Sequence, residues 1–164
     1  FRIGNREALT RALLELRMLG RAEGYLAQPF ISGRVVCVDT IRDSAGHTLA
    51  LAREEYIRTP RGAGLSVQVF RDSELEAICG ALAAELGVIG CVNFEFIKDA
   101  GGRYHFLECN PRFSGGIGFS ERAGLPAVRL HLGAWRGESI PEDITERITP
   151  GWQVKKYIEV VTKE

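Results

Sequence analysis

A chain of 164 residues with 45% hydrophobic and 26% charged residues has enough apolar material for a buried core and the composition of a globular protein. Its 21 basic and 21 acidic residues cancel, so the charge balance argues against nucleic acid or an anionic membrane surface as partner. No apolar run approaches the roughly 20 residues of a membrane span and no signal-peptide pattern opens the chain, which reads as cytoplasmic.

Phe1 to Ile3 reads as the end of a strand, and "NREALTRALLELRMLG" as a helix capped by Asn5 and stopped by Gly20, with Leu9, Leu13, Leu16 and Leu19 on one face. "YLAQPFISG" is extended and apolar, and its Pro29 suits an edge strand or a connecting hinge. "RVVCVDTIRD", "HTLALAREEYIR" and "GLSVQVF" follow as strands separated by short turns, which implies antiparallel pairing. "DSELEAICGALAAELG" is the clearest helix: Ser73 and Glu76 are expected to form a capping box, Leu75, Ile78, Leu82 and Leu86 a buried face, and Gly87 a left-handed cap. The strand pair "GCVNFEFIKD" and "RYHFLECN" is split by "AGG", and after it come a glycine-rich loop, a helix around "PAVRLHLGAW", an irregular stretch and a late strand "QVKKYIEVV". The fold class is α+β.

The four cysteines, Cys37, Cys79, Cys91 and Cys109, lack the short spacing of a zinc site or redox pair and read as buried thiols. The hairpin is more informative. An even-length loop gives directly opposed residues an odd index sum: a four-residue loop from Ala100 to Arg103 would set Glu95 opposite Glu108, and a two-residue loop would set them diagonal, within about 7–8 Å at the β carbons. Asn93 and Asn110 share that face, while Val92, Phe94, Phe96, His105, Leu107 and Cys109 turn to the other, mostly core, side. Two opposed carboxylates need a shared proton or a cation, and two Glu with an Asn carbonyl are hard oxygen donors of the kind that suits Mg²⁺. Arg112 carries a planar fork into the same neighbourhood, and "SGGIG" offers unobstructed backbone N–H groups to an anion. Glu95 alone would read as a solvent-facing strand residue. Glu108, Asn110 and Arg112 within five residues, followed by glycines, point to metal and phosphate. Ser114, beside those glycines and with no histidine near it in sequence, reads as structural.

"GCVNFEFIKDAGGRYHFLECNPRFSGG" resembles the metal-binding hairpin of the ATP-grasp superfamily, in the branch of the carbamoyl-phosphate synthase large subunit and carboxylate-amine ligases. "ECNPR" is the specific element, with the capped helix before the hairpin, "ERAGLP" after it and "YLAQPFISG" upstream in matching order. The resemblance implies an ATP-grasp large lobe over residues 28–164 and a remnant of the small lobe over 1–27. It implies that Glu95, Glu108 and Asn110 bind one or two Mg²⁺ ions (Mn²⁺ being an alternative) on the ATP phosphates, and that Arg112 is catalytic, stabilising phosphate charge. Gln28, Pro29, Phe30 and Ile31 would hold adenine, against the alternative of an ordinary edge strand.

The implied reaction is ADP-forming: a small-molecule carboxylate is phosphorylated and an amine displaces phosphate from the acyl phosphate. A homodimer is a possible assembly. Arg53, Arg58 and Arg61 could grip an anion or form a solvated charge run. The family's small lobe supplies a strand lysine and a glycine-rich loop, yet the first lysine here is Lys98 and the chain starts at Phe1, which suggests an incomplete fragment without turnover of its own. The other classes open to the sequence are an ATP-grasp-like binding module that has lost catalysis and a Mg²⁺-binding protein unrelated to ATP.

Overall fold

The structure is a computed structural model that describes residues 2–60 and 62–155. Its contacts divide the chain into two compact units, Phe1–Ser32 and Gly33–Glu164.

In the first unit, α1 (Arg6–Met18) begins where the Asn5 side chain accepts the Ala8 N–H at 2.8 Å, and Gly20 closes it at φ 63°. No residue of α1 is buried, so the leucine face read from the spacing stays largely open. Arg2 and Ile3 are irregular rather than strand, and Phe1 lies outside the described residues. A single 3-10 turn, Ala22–Gly24, leads into an irregular stretch through Ser32.

The second unit is built on one six-stranded antiparallel sheet. Its strands are β1 (Gly33–Arg42), β2 (Thr48–Arg58), β3 (Gly64–Phe70), β4 (Gly90–Asp99), β5 (Tyr104–Asn110) and β6 (Gly151–Val154), in the spatial order β5-β4-β1-β2-β3-β6. The meander β1–β3 and the β4–β5 hairpin are therefore one surface, joined where β4 lies against β1. β6 meets the start of the predicted late strand, Lys155 is irregular, and the remainder of that prediction, from residue 156 on, lies outside the described residues.

One side of the sheet is covered by α2 (Ser73–Glu85), which packs on Val36, Val38, Ala50, Ala52, Phe94 and Phe96. Its cap differs from expectation. Asp72, not Ser73, is the N-cap, accepting from the Glu74 and Leu75 N–H groups, and its second oxygen accepts the Tyr104 hydroxyl at 2.8 Å. Glu76 turns away to fork onto Arg71 at 2.8 and 2.6 Å. The buried face is also rotated: Leu75, Cys79 and Ala83 are buried, whereas Leu86, past the helix end, is 59% exposed. Small side chains at 79 and 83 let the helix lie close to the strands, a preference that a count of leucines misses. Gly87 takes the left-handed conformation as expected, φ 61°.

The other side is covered over part of its area by α3 (Ile117–Arg122), α4 (Ala127–Trp135) and α5 (Ile144–Arg147), packed on Ile41, Leu49, Leu51, Val67, Val69 and Cys91. Of these only α4 was expected; α3 begins from a glycine with no capping side chain, and α5 is a single turn. The rest of that side is polar, and it holds the candidate site.

Candidate functional site

Strand register places the polar side chains in rows. Glu95 lies opposite Glu108 on one flank and opposite Cys37 on the other, and Cys37 in turn lies opposite Arg53. In the next row Asn110 faces Asn93, and Asn93 faces Asp39. The opposition of the two glutamates is thus present, but by a route other than an even loop. The hairpin turns through an odd loop, with Lys98 paired to Tyr104, and a bulge at Leu107 then restores the register before Glu108. The tip is fixed by the Asp99 N–H on the Arg103 carbonyl and by Gly102 at φ 82°.

The bulge corrects one assignment of faces. His105 pairs with Ile97 on the same side as Glu95 and bonds Asp99 at 2.8 Å, whereas Phe106 takes the side expected for His105 and sets its ring edge against Phe96. The hydrogen bonds from His105 and Arg103 hold the Asp99 carboxyl well below the usual carboxylate range.

Glu95 is partly buried and Glu108 is exposed. Burial, then the facing Glu108 charge, raise the Glu95 carboxyl above its ordinary value, with the Arg58 guanidinium opposing. Asn110 donates to Glu108 Oε1 at 2.8 Å, and its oxygen accepts from Arg112 Nη2 at 3.1 Å. Arg112 also donates to the Phe113 carbonyl at 3.0 Å. Glu95, Glu108, Asn110 and Arg112 therefore form one strip that runs off the end of β5. Gln28, Pro29, Phe30 and Ile31 are irregular rather than an edge strand; Phe30 is 65% exposed with the Arg2 guanidinium 4.1 Å above its ring.

The arginine cluster separates into different roles. Arg53 is 1% exposed and belongs to β2, bonded to Asp39 Oδ2 at 2.6 Å and lying 3.5 Å from Glu55. It is neither an anion grip on a loop nor a solvated charge. Arg58 lies 2.7 Å from Glu55 and 3.6 Å from Glu95. Arg61 lies outside the described residues.

Asp39 is the residue that reading along the chain passed over. It is fully buried, accepts from Arg53 and from Ser120 Oγ at 2.6 Å each, and so ties α3 to the sheet. A lone carboxylate inside "VVCVDTI" was the available signal, because a buried acid requires a partner. Gly116 completes the arrangement: a β carbon there would stand 2.6 to 2.8 Å from the Arg53 guanidinium, so only glycine lets the loop lie across it. Ser114 is buried beside this loop.

Among the described residues, no group of three or more His, Cys, Asp or Glu side chains is assembled to hold a metal. Two carboxylates and an amide suit Mg²⁺ nonetheless, since that ion usually keeps waters and takes substrate phosphate oxygens as further ligands. The thiols are poor metal ligands: Cys37, Cys79 and Cys91 are buried, and burial pushes Cys79 and Cys91 up to about 12. A concavity of about 430 Å³ lined by His47, Leu49, Ile140 and Thr145 sits at the β1–β2 turn, apart from the paired acids.

The profile of a family described as "ATP-grasp in the biosynthetic pathway with Ter operon" matches residues 21–159. The chain belongs to the ATP-grasp family. Solved ATP-grasp structures share the fold. Biotin carboxylase from Campylobacter jejuni, solved with a β,γ-ATP ligand, superposes with TM-score 0.66 at 22% identity over 88% of this chain and 34% of its own. The biotin carboxylase domain dimer of Hydrogenobacter thermophilus 2-oxoglutarate carboxylase, with MgADP and bicarbonate, gives 0.66 at 21% over 90% and 36%. N5-carboxyaminoimidazole synthetase from Staphylococcus aureus with ADP gives 0.64 at 19% over 85% and 38%. The ATP-grasp chain thus spans little more than a third of these proteins. No curated protein sequence matches it at a significant level. No helix among the described residues is long and apolar enough to cross a membrane.

Proposed function

We propose that this chain is the larger-lobe part of an ATP- and Mg²⁺-dependent ligase that activates a carboxylate as an acyl phosphate for attack by an amine, releasing ADP. The carbamoyl-phosphate synthase and carboxylate-amine ligase branch is the one we favour, with residues 1–27 as a small-lobe remnant and 28–164 as the large lobe. The observation that carries the reading is the facing of Glu95 and Glu108 across β4 and β5, with Asn110 and Arg112 on the same strip.

When bound, Mg²⁺ would neutralise charge on the transferring phosphoryl group. Glu95 and Glu108 present hard oxygens from adjacent strands, positioned before any ligand arrives. Asn110 would turn its amide so that Oδ1 leaves Arg112, which frees the guanidinium fork to meet phosphate oxygens. Gln28, Pro29, Phe30 and Ile31 are assigned to adenine, through backbone groups and an apolar face. No side chain on the strip has to act as a covalent nucleophile, because the oxygen that attacks the γ-phosphorus belongs to the substrate carboxylate.

The test is Glu108→Gln in the longer protein that carries this chain, assayed for Mg²⁺-dependent ADP release against a panel of carboxylates and amines. Loss of ADP formation with unchanged circular dichroism is expected. Unchanged activity refutes the assignment of Glu108, and a wild type that binds nucleotide without releasing ADP favours a non-catalytic binding module.

A further inference from the structure

On the polar side of the sheet, Asp39, Glu55, Glu95 and Glu108 present four carboxylates, and the two guanidiniums paired with them are Arg53 and Arg58. Arg53 is committed to Asp39 in the interior, and Arg112 is engaged with Asn110 and the Phe113 carbonyl. Four carboxylates are thus directly paired with two guanidiniums, and direct pairing is weakest at Glu95, held at 3.6 Å, and at Glu108, which has no ion-pair partner within 4 Å among the described residues. Arg58 is the cation shared unevenly there: its Nε stands 2.7 Å from Glu55, while Nη2 reaches Glu95 at 3.6 Å. Glu55 is 6% exposed and also receives the Cys37 thiol at 3.4 Å, so it needs a permanent counter-charge, whereas Glu95 borrows one.

We infer that Arg58 is a resident counter-ion of the acid pair, which competes with a divalent cation for Glu95 and retreats onto Glu55 when the cation enters. The inference rests on the cation reading of Glu95 and Glu108 made above. Arg58 can yield without leaving the protein, because its stronger contacts, to Glu55 and to the Gly62 carbonyl at 2.9 Å, are not at the cation position. It thereby sets how tightly the site takes a divalent ion. An empty pair is partly neutralised, and an occupied one is freed of a neighbouring like charge.

The experiment follows Mn²⁺ binding by paramagnetic broadening of amide and Asn side-chain NMR signals in the full 164-residue chain, and follows the Arg58 Nε–H signal during a Mg²⁺ titration. In the wild type, Mn²⁺ is expected to broaden β4 and β5 near Glu95 and Glu108, and Mg²⁺ to shift Arg58. Arg58→Gln is expected to bind Mn²⁺ roughly two- to fivefold more tightly, the range of a partly exposed ion pair. Because Arg58→Gln strips a buried acid of its partner, the double variant E55Q/R58Q, which removes both charges, is the folding control and should show the same tightening. Equal or weaker Mn²⁺ binding in both variants, with the wild type still broadened at β4 and β5, overturns the role of Arg58 alone. Absence of broadening at β4 and β5 in the wild type overturns the cation reading and the inference with it.

Discussion

Glu95→Gln should stabilise the metal-free protein, and the size of the effect follows from where the side chain sits. Facing β carbons in an antiparallel pair are about 5 Å apart, and like charges there cost up to about 1 kcal/mol. Coulomb's law gives about 3 kcal/mol at that separation for an effective dielectric near 20 and below 1 kcal/mol at the dielectric of water. Glu108 is exposed and Arg58 offsets part of the repulsion at 3.6 Å, which selects the lower end. A gain of about 0.5–1 kcal/mol corresponds to a rise in Tm of about 1–4 °C for a chain of this size.

The pH dependence has a definite sign. The Glu95 carboxyl is raised in the fold, by burial first and by Glu108 second, so the folded state favours its protonated form. Its contribution to stability is most favourable below the unfolded value and is lost as pH rises through the folded one. The advantage of Glu95→Gln should accordingly be full at neutral pH and shrink on acidification, and Mg²⁺ should raise the Tm of the wild type more than that of the variant. Scanning fluorimetry of both proteins at several pH values, with and without Mg²⁺, measures all of this. An Tm for the variant at or below wild type at pH 7 without metal, or a gap independent of pH, refutes the reasoning.

Arg53→Met leaves Asp39 buried without its cation and should cost about 3–5 kcal/mol in urea denaturation, most of it regained in D39L/R53M. Gly116→Ala drives a β carbon into the immobile Arg53 guanidinium and should cost about 1–3 kcal/mol. Gly115→Ala, whose β carbon would meet only Ala63 at an ordinary 3.8 Å, should stay within about 0.5 kcal/mol in the same assay. Asp72→Ala removes two N-cap bonds and the acceptor of the Tyr104 hydroxyl, and a loss of about 1–2 kcal/mol is expected.

The strands and the long helices were legible because their signals are local: alternation or a continuous apolar run, bounded by turn residues and glycines. The hairpin shows where local reading reaches its limit. Parity of the index sum placed Glu95 opposite Glu108, but the loop closes on Asp99 and Arg103 with one residue fewer than assumed and Leu107 takes up the extra one, so that His105 and Phe106 exchanged sides. A bulge depends on how β5 packs against β4, and no residue type announces it. Asp39 and Arg53 were opaque for a related reason. Their bond joins neighbouring strands at a register fixed only when the sheet assembles, and along the chain Arg53 simply looked like the first of three arginines near a turn. The short helices α3 and α5 carry no cap and too few turns to express a period.

The extra residue at 107 has a consequence for how this protein can vary. It splits the hairpin into an outer segment, Phe96 to Phe106, and an inner one holding the acids, each with its own alternation. Pairs of residues could be added to or removed from the outer segment without flipping the inner one. The tip around Gly101 is thus a place to attach a probe or an epitope, and a position where natural relatives can drift in length while the chemistry beneath keeps its alignment.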